Sequence, residues 1–229
     1  MLSLQEMATT RAALLLAENR LPLGAGVRVL PSKPSNAVFA TLLRLDLVNH
    51  ETRDRLFSGN FMISAELDLA GGECDEETLW RIAQHGVVSL NLNRTTTSSN
   101  SETRLLLPTI VASLQRNPRD SPFLRDLRHL DIGGSSASSQ PFNLLPMLNR
   151  FSSLESLVMS EAASLSNDDL SAIASHHSSL RCLDISNCPA VSYIAGLRPL
   201  RQLEVIRMHG VRLNMEAAEI GATFRAWTE

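Results

Sequence analysis

One short segment gathers the residue types that do chemistry: His176, His177, Ser178 and Ser179 in a row, then Cys182 and Asp184. A serine nucleophile needs a base in hydrogen-bond reach, a strained turn and donors aimed at an oxyanion. This run instead leaves a helical stretch through a polar turn, so both histidines are expected at the surface. Cys182 becomes a nucleophile only beside a base, and Asp184 on the same strand face disfavours its thiolate. Cysteines at 74, 182 and 188 have no histidine at zinc-ligand spacing. They read as reduced, buried or half-buried thiols in a cytoplasmic or nuclear compartment. The expectation is a protein that is not an enzyme, with no catalytic residue, cofactor or metal.

The elements that hold these residues follow a pattern. Leu180 to Cys188 reads Leu-Arg-Cys-Leu-Asp-Ile-Ser-Asn-Cys, matching LxxLxLxxN/C. In that frame the first, fourth and sixth positions turn inward from a short strand and the ninth returns the chain. Leu154, Leu157 and Met159 fit it, as do Leu127, Leu130 and Ile132, and Leu203, Ile206 and Met208. Fourth positions recur at 27, 26 and 23 residues, counting from Leu130 to Leu157, Leu183 and Ile206. Those intervals suit a leucine-rich repeat. Val87, Leu90 and Leu92 add a fifth copy, and Leu67 with Leu69 a sixth. Only the copy ending at Cys188 meets the whole consensus; Gly72, Thr95, Ser135, Ala162 and Val211 hold the other ninth positions. The expected fold is α/β: a solenoid of about six irregular repeats, with short parallel strands and convex helices, behind a small helical N-terminal region.

Composition agrees. With 229 residues, 44% hydrophobic and 4% aromatic, the chain suits one extended core of stacked leucines. Its net charge is −3 and its lysines and arginines are scattered, so no nucleic-acid partner is expected. The longest apolar run near the start, Ala12 to Ala17, is too short to cross a bilayer, and no membrane partner is expected.

Three segments follow. Residues 1–62 form a helical N-terminal region: Ser3 to Glu18 reads as a helix capped by Ser3 and Glu6, with Leu4, Met7, Ala8, Leu14 and Leu15 on one face. Prolines and glycines break the chain from Leu21 to Pro34, and Ser35 to Leu45 is helical, with Val38, Leu42 and Leu45 at core spacing. Residues 63–214 carry the repeats. Helices are expected over Asp75–Ala83, Glu102–Leu114 with Pro108 offsetting it, and Asn143–Phe151, and another starts at Ser166 with Asp169. Arg94 to Ser101 reads as a mobile polar loop, and Ile194 to Leu200 as a single turn. Residues 215–229 form a capping helix, with Ile220 and Phe224 packed on the last strand.

On such a sheet the exposed column at the fifth position is Asp68, Asn91, Asp131, Val158, Asp184 and Arg207, a candidate partner-binding face for an unknown protein. Beside it lie Arg128, His129, Glu155, Arg181, Cys182 and Glu204. An ordinary solvated face is the alternative.

In its order of elements the chain resembles the Zyg-eleven and Zer-one substrate receptors of cullin-two, elongin B/C ubiquitin ligases. The resemblance rests on the N-terminal helix, on Leu30-Pro31 followed by a helix with Val38, Leu42 and Leu43, on Arg53-Asp-Arg-Leu-Phe57, and on phrases such as Leu-Arg-His-Leu-Asp-Ile-Gly. It implies elongin B/C and cullin-two as partners, with Leu4, Ala8, Ala12, Leu30, Pro31 and Val38 at the contacts. The chain departs from the family at Ala8, where a cysteine is usual, and at Pro34, where an apolar residue is usual. It implies a substrate-receptor or adaptor role; a free-standing repeat scaffold is the alternative.

Overall fold

The computed structural model describes residues 3–18, 32–45, 47–48, 52, 56–57, 66–84, 87–96, 107–114, 121–134 and 144–227. Helix α1 (Leu4–Ala17) starts as its sequence dictates: the Ser3 hydroxyl accepts from the Glu6 N–H, and the Glu6 carboxylate accepts from the Ser3 N–H at 2.6 Å. These bonds satisfy donors that a helix start leaves open and hold the Glu6 carboxyl below its usual range. Its buried residues are Ala13 and Leu16, Leu14 and Leu15 are half-buried, and α1 packs against helix α2 (Ser32–Arg44). Helix α2 starts three residues earlier than expected. Val38, Phe39, Leu42 and Leu43 are buried, whereas Leu45 lies past the helix end and is 45% exposed.

Six strands of three residues each form one parallel sheet in chain order: β1 (Glu66–Asp68), β2 (Ser89–Asn91), β3 (His129–Asp131), β4 (Ser156–Val158), β5 (Cys182–Asp184) and β6 (Val205–Arg207). Register is uniform, with Leu67, Leu90, Leu130, Leu157, Leu183 and Ile206 in line. The first five are at most 2% exposed, so each strand turns its apolar side chains to one continuous core. Leaving each strand, two N–H groups donate to the next unit: Leu69 and Gly71 to the carbonyls of Asn91 and Asn93, and so on to Ile185 and Asn187, which donate to Arg207 and His209. The same pair recurs at all five steps.

One residue after each strand takes a left-handed backbone: Gly71, Arg94, Gly134, Glu161, Asn187 and Gly210, with φ between 53° and 77°. All six are the eighth position of the frame. Glycine or asparagine at four of them is what this conformation prefers.

The connections supply the second layer. They are α3 (Glu76–Ala83), α4 (Leu107–Leu114, the described part), α5 (Pro122–Asp126), α6 (Leu145–Leu148), α7 (Asn167–His176), a 3₁₀ turn (Ala195–Leu197) and α8 (Ala217–Arg225). Asp75 caps α3, accepting from the Thr78 N–H, and Ser166 with Asp169 forms the capping box of α7. Leu79 and Ile82 of α3, and Leu170, Ile173 and Ala174 of α7, are buried as their spacing requires. Helix α6 is shorter than the expected Asn143–Phe151, starting at Leu145 with Pro146 in its first turn. Helix α5 was not anticipated; five residues are too few to show a period, yet Phe123 and Leu124 enter the core and Phe123 meets Phe151 edge-on at 5.4 Å. Of the polar run 94–101, residues 94–96 are fixed, with Thr95 buried; residues 97–101 and 102–106, and Ser135, lie outside the described residues.

Helix α8 corrects another expectation. It packs on the 3₁₀ turn rather than on β6, with the Trp227 indole N–H donating to the Leu197 carbonyl at 3.2 Å. Phe224 is 37% exposed against Trp227, Ile220 is half-buried, and Thr223 is the buried residue.

Candidate functional site

The register brings the whole fifth-position column into one line across the sheet: Asp68, Asn91, Asp131, Val158, Asp184 and Arg207. Four of these side chains turn back onto their own chain. Asp68, Asn91, Asp131 and Asp184 each accept from the N–H two residues on, in Ala70, Asn93, Gly133 and Ser186, at 2.9–3.1 Å. They end the strands as much as they line the face. The Asp131 carboxyl is pushed up by burial; bonds from Gly133 and Asn93 oppose this, and the repulsion of Asp184 and Asp68 adds to it.

The second position carries an alternating ladder that this register assembles. Arg128 donates to Glu155 at 2.8 Å, and Arg181 donates through Nε to Glu204 at 2.9 Å. Glu155 also acts on Arg181 electrostatically. Paired charges of this kind select a partner by fit and orientation more than they hold it.

The chemistry-bearing segment is divided by the fold. His176 is exposed, but His177 is 3% exposed, against the expectation of two surface histidines. It is the C-cap of α7: its N–H donates to the Ile173 carbonyl and its carbonyl accepts from the Leu180 N–H, and a backbone hydrogen bond at Leu148 meets its ring. Among the described residues its Nε2 has no hydrogen-bond partner. Cys182 is half-buried, with Ser156 and Val205 as its register neighbours and no base in either place. Cys188 is buried, donates to the Met159 carbonyl at 3.3 Å, and has its pKa raised by burial to about 11. Among the described residues no group of three His, Cys, Asp or Glu is placed to hold a metal ion. No helix among them is long and apolar enough to cross a membrane.

At the N-terminal end, Leu4 is 83% exposed, Met7 is 47% exposed, Ala8 is exposed and Ala12 is half-buried. Val38 does not share that surface: it is buried in the core, because it faces inward with Leu42. Leu30 and Pro31 lie outside the described residues. A groove of about 700 Å³ separates α1 from α2, lined by Glu6, Thr9, Thr41, Arg44 and Leu45 among others. A cleft of about 550 Å³ lies between α2 and the start of the sheet, where Arg44 faces Glu66, Asp68, Ser89 and Asn91 across Ala37 and Ala40.

Sequence reasoning missed the ion pair of Arg94 with Glu161, at 3.0 Å on the same edge of the sheet. The signal was available in the four Gly or Asn residues at eighth positions, which mark 94 and 161 as equivalent places. Searches of family models and of curated protein sequences find no match to this chain.

Proposed function

We propose that this protein is a non-enzymatic interaction subunit: a leucine-rich repeat solenoid whose N-terminal helix docks a ubiquitin-ligase assembly and whose sheet face recruits or spaces a second protein. The repeat reading is supported by uniform register, six left-handed eighth positions and burial at the first, fourth and sixth positions of the four repeats from β2 to β5.

The observation that carries the docking reading is α1. This helix is properly capped and anchored at its far end by Ala13 and Leu16, yet Leu4 and Met7 stand in water. Neighbouring exposed apolar side chains on a formed helix are what an interface leaves when its partner is absent. Together with the resemblance to cullin-two receptors, they make elongin B/C the proposed partner of α1 and cullin-two the second component.

The test is co-purification of the chain with elongin B/C and cullin-two, beside a Leu4→Arg variant. Both partners are expected with wild type and neither with the variant, whose fold circular dichroism should show intact. Folded wild type that brings down neither partner would reject the ligase reading.

One observation favours a second reading, a free-standing scaffold whose helices are only a cap. Helix α2 lies on β1 and closes the sheet at that end, as every repeat array requires. On that reading Leu4→Arg changes no association at all.

A further inference from the structure

The helical N-terminal region and the repeats meet in the cleft of about 550 Å³ between α2 and the first strands. Both of its walls stand on one core. Phe39, Leu42 and Leu43 are buried beneath α2, and Leu67 and Leu69 beneath β1. A Cβ on Gly72, in the turn after β1, would lie 3.4 Å from Leu43 Cβ. Close packing underneath thus holds the two walls at a fixed separation.

Opposite charges stand on those walls. Arg44 lies on α2, and Glu66 and Asp68 lie on β1. Among the described residues, Arg44 and Asp68 make no ion pair with each other or with any other group. Each is held to its own wall instead. Arg44 Nη2 donates to Thr41 Oγ1 at 3.3 Å, and the Thr41 hydroxyl donates to the Ala37 carbonyl at 2.8 Å. Asp68 Oδ1 accepts from the Ala70 N–H at 3.1 Å, which leaves Oδ2 with no partner among the described residues. Glu6 of α1 acts on Arg44 only through its field, since its carboxylate is taken by the capping box.

A molecule with one charge that enters this cleft is attracted by one wall and repelled by the other. A molecule carrying both charges on a short spacer satisfies the two walls at once. Ala37 and Ala40, one turn apart on α2, are small and half-buried, so a carbon spacer can lie against the helix between them and the sheet.

We propose that this cleft binds a small zwitterion, an amino acid with its carboxylate on Arg44 and its ammonium on Asp68. The guanidinium keeps further N–H donors for the carboxylate, Asp68 Oδ2 accepts from the ammonium, and Glu66 on the same wall adds to the pull on the cation. Both charges are oriented before the ligand arrives, so binding orders little of the protein. The inference does not depend on the ligase reading.

The experiment titrates the full chain with glycine, γ-aminobutyrate and ε-aminocaproate, which separate the two charges by increasing lengths. Butylamine and butyrate, with one charge each, are the comparison, and amide NMR shifts report binding. At least one zwitterion is expected to bind with Kd below about 1 mM, and both singly charged molecules about tenfold more weakly. Arg44→Gln and Asp68→Asn should each weaken that zwitterion about tenfold. Both residues are exposed, the asparagine keeps an oxygen for the Ala70 N–H, and circular dichroism checks both folds. Absence of any zwitterion binding below about 1 mM overturns the proposal. Equally tight binding of butylamine or butyrate overturns it as well. So does a zwitterion affinity that either substitution leaves unchanged, because the ligand then lies elsewhere.

Discussion

Arg94, which follows β2, reaches past the β3 unit to Glu161, which follows β4, its Nη2 lying 3.0 and 3.2 Å from the two carboxylate oxygens. The residue between them on that edge is Gly134, and a Cβ there would lie 2.4 Å from Arg94 Cγ and 2.5 Å from Asn93 Oδ1. Gly134 also has a φ of +77°, so glycine is required twice over, by conformation and by the passage of Arg94.

Gly134→Ala should therefore cost about 1–3 kcal/mol, roughly 1–2 from the left-handed backbone and the rest from displaced neighbours. Urea unfolding of Gly134→Ala in the wild-type and Arg94→Ala backgrounds separates the two. The backbone part and the Asn93 contact should remain in both, and the part due to Arg94 should vanish in the second. Arg94→Ala alone should lose under about 1 kcal/mol, as exposed ion pairs do.

Thr95 makes a second cross-unit tie. Its buried hydroxyl donates to the Leu69 carbonyl at 3.0 Å, the sixth position of the preceding strand. Cys188, also at a ninth position, donates to Met159 in the equivalent place. Thr95→Val keeps the shape and removes the donor, and should cost about 1–2 kcal/mol by urea unfolding. An unchanged midpoint would mean that the hydroxyl bond adds nothing to the tie.

These ties explain which parts of the molecule were legible beforehand. Leu180, Leu183, Ile185 and their counterparts around β2 to β4 are buried as read, because burial on one strand face imposes a spacing that sequence displays directly. Helix starts at Ser3 and Ser166 were legible for the same local reason, since a cap and its partner sit three residues apart. Helix α5 and buried His177 depend on what the chain brings over them from elsewhere. The fifth-position column lies between these cases: its alignment was foreseen, but the turn of four side chains onto their own backbone was not.

Thiol reactivity separates the three cysteines. Cys182 is half-buried at the sheet face, whereas Cys74 and Cys188 are buried, and Cys188 is raised to about 11 and hydrogen-bonded. A disulfide reagent at pH 8 should titrate one thiol in the native protein and all three in denaturant, and Cys182→Ser should abolish the native reaction. Native reaction persisting in that variant would show that α3 or the β5 turn opens readily.

His177 ties stability to pH. Burial lowers its pKa below the ordinary 6.5, the neighbouring His176 charge lowers it further, and a backbone hydrogen bond at Leu148 opposes both. The unfolded chain therefore takes up a proton at a pH where the folded ring stays neutral. Stability is fully present above about pH 6.5 and falls as pH drops through the window down to the lowered folded value. His177→Gln removes the titration while keeping a polar side chain. Urea midpoints measured from pH 8 to pH 5 should fall for wild type below pH 6.5 and stay flatter for the variant. His176→Gln should retain most of the wild-type fall, because residue 176 is exposed and only adds charge to a ring that burial already keeps neutral. If wild type and His177→Gln descend together, the acid loss does not belong to the covered histidine.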